Sequence, residues 1–281
     1  MGPKNELKKY GLSPSKRLGQ HFLADFGVLK KVILAAELKK DDIILEIGPG
    51  TGILTKELAK TAKKVIAIEK DQKMCRVLKD LLKCWNVENV EIVQGDILKS
   101  NIQYLISNIH YKVVANLPYY ITSPVIRKFL EAESPPELMV LMVQKEVAKR
   151  ICASPPDMNL LAVSVQFYAK PKIIGYVSKK SFWPKPKVDS AIIKLTPINT
   201  NRSTDPHEFF KVAKAGFSQP RKQLINNLGQ LFHDREKVDP KETREKIKQW
   251  LLKNAIQPEQ RAESLSIDDW LELAKSFKNY L

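Results

Sequence analysis

Ile43-Ile44-Leu45-Glu46-Ile47-Gly48-Pro49-Gly50-Thr51-Gly52 is the stretch that decides the fold. Residues 43–47 read as a strand. Three glycines follow within five positions. Glycine takes φ > 0 without strain and lets the backbone pass close to a ligand, so they make a tight loop. Helical spacing resumes over Ile53 to Lys60. Strand, glycine loop and helix in that order open an α/β unit on a parallel sheet. Ligands bind such sheets at the carboxyl ends of the strands. The loop is not G-x-G-x-x-G, because its last two glycines are only two apart. Nor is it a P-loop, because no Gly-Lys-Ser/Thr follows. A cofactor without a pyrophosphate fits it better.

Downstream the pattern repeats. Val65-Ile66-Ala67-Ile68 is a second strand ending in Glu69. An acid about twenty positions past a glycine loop, at a strand's carboxyl end, can grip both hydroxyls of a ribose. Asp71 reads as the N-cap of a helix from Gln72 to Lys83. Val90–Val93 is a third strand, followed by Gln94-Gly95-Asp96-Ile97. Asp96 can accept the amine of an adenosyl group there, with Ile97 as an apolar wall; alone, Gly-Asp reads equally as a turn. The fourth strand, Lys112–Ala115, ends in Asn116-Leu117-Pro118-Tyr119, where Pro118 breaks the ladder. An amide oxygen and a carbonyl suit an exocyclic amine, and an aromatic ring suits a flat base. Thr122-Ser123-Pro124 reads as a helix start. Leu138–Val143 is a fifth strand and Lys145–Cys152 a basic helix. Leu160–Tyr168 is read as a helix, although an apolar run does not separate helix from strand. Lys172–Val177 and Ala191–Leu195 read as a closing strand pair. Between them, Phe182-Trp183-Pro184-Lys185-Pro186-Lys187 reads either as a base-stacking platform flanked by Lys185 and Lys187 or as a proline-braced connector.

Upstream, residues 1–15 are polar and basic and read as a mobile arm. Leu18-Gly19-Gln20-His21-Phe22-Leu23 sets a polar pair between apolar anchors, and on residues alone His21 reads as a surface histidine. Asp25 is the expected N-cap of a helix burying Phe26, Leu29, Val32, Ile33 and Ala36. Composition shifts to Asn, Thr, Ser and Pro over 197–206, which places a domain boundary near 199. Beyond it only helices are expected, over His207–Phe217, Arg221–Leu231, Lys241–Asn254 and Ile267–Lys278. Arg221 and Lys222 fall at a helix start.

The chain of 281 residues, 43% of them hydrophobic, can bury a sizeable core. Its net charge of +16 favours an anionic partner, of which nucleic acid is the common case. Three scattered cysteines and four unclustered histidines argue against a disulfide framework or a metal. The first residues lack the apolar core of a signal peptide, and no run approaches a membrane span. The sequence reads as a soluble cytosolic protein with no membrane partner, and as a monomer because no heptad is sustained.

Taken together, LGQHFL, LEIGPGTGILT, IEKD, GDIL, NLPYYI, QKEVAKR and FWPKPKVDSAIIKL resemble the ribosomal RNA adenine dimethylases of the bacterial small-subunit type. The resemblance runs from about Lys16 to Leu195 and continues weakly through RKQLINNL and RAESLS. It implies a seven-stranded, Rossmann-like methyltransferase sheet with a small all-helical C-terminal domain that binds RNA. It implies S-adenosylmethionine as cofactor, with His21 and Leu23 at its methionine end. Gly48, Gly50 and their loop would lie beneath it, Glu69 on the ribose, Asp96 and Ile97 at the adenine, and Asn116 beside the methyl donor. Tyr119 would stack the target base and Phe182 close its other face. Lys185, Lys187, Arg221 and Lys222 would contact RNA. The implied substrate is a pair of adjacent adenines in a hairpin near the 3′ end of small-subunit RNA, within a pre-ribosomal particle.

Three positions depart from the family pattern. Tyr120 stands where Asn is usual, Met158-Asn159 where Tyr-Gly is usual, and Pro220 where a first Arg precedes Arg221-Lys222. Rival readings are a large-subunit methylase of the antibiotic-resistance type, which FWPKPKVDSAIIKL and RAESLS oppose, and a DNA adenine methylase. The latter carries an acid where Asn116 stands. A non-catalytic assembly factor on the same fold would tolerate losses in the glycine loop or NLPY, and both are present.

Overall fold

The computed structural model describes residues 2–100, 106, 109–198, 204–232, 239–277 and 280. It comprises two compact units, Met1–Lys149 with Ala169–Pro197, and Arg150–Tyr168 with Ile198–Leu281. The first unit contains β1 (Phe22–Leu23), β2 (Ile43–Ile47), β3 (Lys64–Glu69), β4 (Val90–Gln94), β5 (Tyr111–Asn116), β6 (Leu138–Gln144), β7 (Ala169–Val177), β8 (Phe182–Trp183) and β9 (Ser190–Pro197). Seven of them form one sheet in the order β4-β3-β2-β5-β6-β9-β7. The strands from β2 to β6 run parallel, and β9 lies antiparallel between β6 and β7.

The chain builds outward from β2 to β4 and then returns to β5 on β2's other side. That reversal splays the connections apart at the carboxyl ends of β2 and β5 and opens a crevice there. The central parallel strands are buried, which is why they read as largely apolar runs, whereas the edge strand β4 is only half-buried. Ile44, Leu45, Val113, Val114, Met139 and Val140 are all 0% exposed. Val28, Leu29 and Val32 of the helix Phe26–Ala35 join Ile44, Val114 and Val140 in one cluster.

Two details of this unit correct the expectations. Phe26 does not face the core but is 67% exposed. Asp25 caps the helix by accepting from the Gly27 and Val28 N–H groups, and this turns Val28, Leu29, Val32 and Ala35 inward instead. The expected mobile arm contains a helix, Pro3–Lys9. Leu7 anchors it, 1% exposed against Phe22 and Met74.

The second unit is helical, with helices Leu160–Tyr168, Pro206–Gly216, Leu224–Asn227, Pro240–Lys253 and Ile267–Phe277. Its core gathers Phe167, Phe209, Trp250, Trp270 and Phe277. Residues 150–168 therefore go with the C-terminal segment, not with the sheet as the boundary near 199 had it, because Ala162, Val163 and Phe167 complete this second core. Arg221 and Lys222 lie in an exposed turn ahead of the helix they were expected to open, which begins at Leu224. Among the described residues no helix is long and apolar enough to cross a membrane.

Candidate active site

A cleft enclosing about 190 Å³ opens at the carboxyl ends of β2, β3 and β5. Its floor is the glycine loop. Gly50 sits at φ 56°, and a Cβ there would lie 2.8 Å from the Phe22 ring, so no larger residue fits without displacing that ring. The space above the loop stays free for a ligand.

Glu69, the last residue of β3, is 7% exposed and lines the cleft. Its Oε2 accepts from the Gly50 N–H at 3.3 Å and its Oε1 from the Asp71 N–H at 2.8 Å. Burial pushes its pKa up, against those two hydrogen bonds. Each oxygen keeps a lone pair for a hydroxyl donor, as a vicinal diol requires. Asp96 lies in the same cleft with a different partner. Its Oδ2 is ion-paired to Lys70 Nζ at 2.8 Å and its Oδ1 accepts from the Leu98 N–H, and the lysine holds its carboxyl below the usual range. Ile97 and Leu23 supply buried apolar walls.

Asn116 ends β5. Its Nδ2 donates to the His21 carbonyl at 3.0 Å, which fixes the amide's orientation. Oδ1 is left as an acceptor with no hydrogen bond from a described residue. His21 is held in turn by a hydrogen bond between its Nδ1 and the Pro184 carbonyl at 2.7 Å. Its ring stacks against Tyr119 with centroids 6.0 Å apart. The Tyr119 hydroxyl meets Ser190 Oγ at 2.7 Å. Burial pushes the Tyr119 hydroxyl's pKa up. A small antiparallel sheet sets this corner, with β1 pairing Phe22 to Trp183 and Leu23 to Phe182 of β8.

The structure thus brings His21, Leu23, Gly48, Gly50, Glu69, Asp96, Ile97, Asn116, Pro118 and Tyr119 to one cleft. Phe182 is a correction. It is 4% exposed, packed with Leu23 and Val28 in the core, and offers no face to a base. Lys185 and Lys187 are exposed on the loop after β8. Three residues were missed: Gln20, whose amide reaches Asp71 at 3.3 Å, Ser190, and Glu46, buried in the cleft wall. Only Glu46 gave a signal, as the one acid in an otherwise apolar strand. In the second unit the ligand atoms of Asp205, His207 and Glu208 lie within 4.8 Å of one another. Asp205 there caps the helix Pro206–Gly216 through the His207 N–H.

A switch-point cleft with a glycine floor, a buried carboxylate beside it and an amide oxygen next to an aromatic ring is an arrangement suited to an α/β methyltransferase. The sequence profile described as ribosomal RNA adenine dimethylase matches residues 12–279, and the chain belongs to that family. It is 45% identical over 270 residues to ribosomal RNA small subunit methyltransferase A of Dehalococcoides mccartyi, covering 95% of this chain and 89% of the relative. It is 41% identical to the protein of the same name from Clostridioides difficile, covering 96% and 93%. The crystal structure of a dimethyladenosine transferase from Plasmodium falciparum superposes with a TM-score of 0.80 at 31% identity, over 92% of this chain and 98% of that one. The methyl donor is S-adenosylmethionine. The residues present suit it, since each Glu69 oxygen accepts a single backbone N–H and keeps a lone pair, and Glu46 Oε2 has no hydrogen-bond partner among the described residues.

Proposed function

We propose that this chain dimethylates the N6 amines of two adjacent adenines in a hairpin near the 3′ end of small-subunit ribosomal RNA. It does so as a cytoplasmic monomer acting on a pre-ribosomal particle. The observation that carries the reading is Asn116. One N–H of Nδ2 donates to the His21 carbonyl, which orients the amide and leaves Oδ1 as an acceptor, and an acceptor is what an amine nucleophile needs. The small-subunit names of the bacterial relatives favour that RNA over the large-subunit one.

Bound S-adenosylmethionine supplies an electrophilic methyl group on its sulfonium. The protein supplies position. The adenine leaves its stack to reach the cleft. Tyr119 supports its face, and Ser190 fixes the ring's hydroxyl end. Asn116 Oδ1 and the Pro118 carbonyl accept from the amine's two N–H groups. The Pro118 carbonyl already accepts from the Ile121 N–H at 3.1 Å but keeps a second lone pair. These bonds localise the nitrogen lone pair, which is otherwise delocalised into the ring, and aim it at the methyl. Alignment of this kind carries much of the barrier lowering in a two-reactant transfer. The alkylated nitrogen is acidic enough to lose its proton without a dedicated base. Lys185, Lys187, Arg221 and Lys222 are exposed and contribute contacts to RNA phosphates.

Incubating unmethylated small subunits and large-subunit RNA with labelled cofactor, then mapping the product, tests the assignment. Dimethyladenosine at two adjacent small-subunit positions is expected, and label confined to large-subunit RNA would overturn it. Glu69→Ala tests the cofactor half. Charge-assisted hydrogen bonds contribute roughly 1.5–3 kcal/mol each, so losing the ribose contacts weakens S-adenosylmethionine binding at least about tenfold. Unchanged affinity by calorimetry removes Glu69 from the site.

A further inference from the structure

Tyr120 stands at the lip of the cleft. It is 58% exposed, and among the described residues it is the one large exposed hydrophobic side chain that lines that cleft. Its backbone is held firmly. Tyr119–Ile121 is a 3₁₀ turn in which the Ile121 N–H donates to the Pro118 carbonyl at 3.1 Å, and Ile121 and Thr122 are buried. Three residues complete such a turn, so neighbouring side chains leave it in different directions. The Tyr119 ring goes to His21 and Ser190, and the Tyr120 ring goes to Gly19. A Cβ on Gly19 would lie 3.5 Å from two Tyr120 ring carbons, so the Gly19 backbone runs alongside the ring and leaves the rest of it to solvent. Cations stand beside it. Lys70 and Leu18 line both the cleft and a second hollow of about 460 Å³, whose walls include Arg17, Asp71 and Lys73. The acids there are already engaged. Asp96 holds Lys70 at 2.8 Å, and Asp71 accepts from the Lys73 N–H and the Gln20 amide. The Arg17 and Lys73 side chains are exposed and form no ion pair among the described residues. An exposed ring with free cations beside it is the equipment of a single-stranded nucleic-acid site, where the ring takes a base face and the cations take phosphates.

We propose that Tyr120 is the stacking platform for the nucleotide next to the adenine being methylated, and that Arg17 and Lys73 take phosphates of the same stretch of RNA. The inference rests on the small-subunit RNA reading and gives it a further subsite. Turning one adenine into the cleft takes away one stacking partner of its neighbour. Unstacked bases of RNA are held on aromatic side chains. Tyr120 is the residue after Tyr119 and its ring lies outside the cleft, so the bared base is covered while its neighbour is inside. When the RNA shifts by one nucleotide to present the second adenine, the platform takes whichever base then occupies that side. One site thereby serves both adenines in the same binding mode.

The test uses the full chain and unmethylated small subunits, reconstituted with RNA whose 3′ segment is synthetic so that either adenine can be replaced by an abasic site. On intact RNA, Tyr120→Ala is expected to lower kcat/KM for the subunits about tenfold, and Tyr120→Phe to stay near native. Calorimetry with S-adenosylmethionine is expected to give Tyr120→Ala the native affinity, which also shows that the variant is folded. With an abasic site at one adenine or the other, the difference between native and Tyr120→Ala is expected to vanish in one of the two substrates. Arg17→Ala and Lys73→Ala are each expected to reduce the slope of log affinity against log salt by about 0.7, the value for one phosphate on a single strand. Native rates in Tyr120→Ala, or a difference that persists in both abasic substrates, overturn the platform. A loss of cofactor affinity in Tyr120→Ala that matches its loss of rate overturns it too, and makes the ring a cover for the cofactor. Unchanged slopes in both cation variants overturn the phosphate contacts. In all these cases the native chain still labels adjacent small-subunit adenines. If it does not, the small-subunit reading fails and the platform with it.

Discussion

Asn116→Ala is expected to bind RNA and cofactor yet transfer methyl groups roughly 10²–10³ times more slowly, the usual cost of one preorganised hydrogen-bonding group at a reacting centre. The size follows from how firmly the amide is held. Its Nδ2 is tied to the His21 carbonyl, and His21 is tied to Pro184 on the loop after β8. Oδ1 therefore needs no reorganisation when the lone pair of the amine develops. Asn116→Asp separates position from charge. It keeps an acceptor but places a carboxylate against the His21 carbonyl, so it should also fail. Single-turnover methylation under saturating RNA measures both, and a near-native rate for Asn116→Ala would make NLPY a strand terminator only.

Tyr119 should fail differently. Tyr119→Ala removes a stacking surface worth about 1–3 kcal/mol per base, together with the ring's contact to His21. Transfer should fall by one to two orders of magnitude. Tyr119→Phe keeps the ring and loses only the bond to Ser190, so much of the activity should remain. Ser190 is 0% exposed, which makes Ser190→Ala a useful control, since it removes the same bond from the other side. The same single-turnover assay decides between the roles. Equal losses in Tyr119→Phe and Tyr119→Ala would show that the hydroxyl, and not the ring face, carries the effect.

Much of the cleft could be read from sequence because its chemistry sits at strand ends. Once Ile43–Ile47, Val65–Ile68, Val90–Val93 and Lys112–Ala115 read as parallel strands, Glu69, Asp96 and Asn116 fall on one edge without further information. What pairs across long distances could not be read. β1 and β8 are two residues each, too short for any periodic signal, and their partners lie far apart in the chain. Phe182 and Trp183 necessarily point to opposite sides of their strand. Which one enters the core depends on Leu23 and Phe22 opposite, so Phe182 was assigned to the base when it belongs to the core. Leu160–Tyr168 read correctly as a helix but was placed with the wrong unit, because an apolar helix does not say which core it completes. Glu46 was legible only as an anomaly, since pattern shows that a residue is out of place and not what compensates it.

The order of the sheet has a consequence for synthesis. β6 is flanked on one side by β5 and on the other by β9, which comes later in the chain than the whole 150–168 segment and β7. Until β9 arrives, Met139 to Val143 form a naked edge of consecutive apolar residues, the kind of strand that recruits neighbouring chains. A nascent chain cannot complete the sheet before residues through Pro197 have left the ribosome. Non-local pairings of this sort also close slowly. The interval between the emergence of β6 and that of β9 is thus the period of greatest exposure to aggregation. A polypeptide truncated within it should be insoluble, although every residue of the proposed cofactor cleft has by then been made.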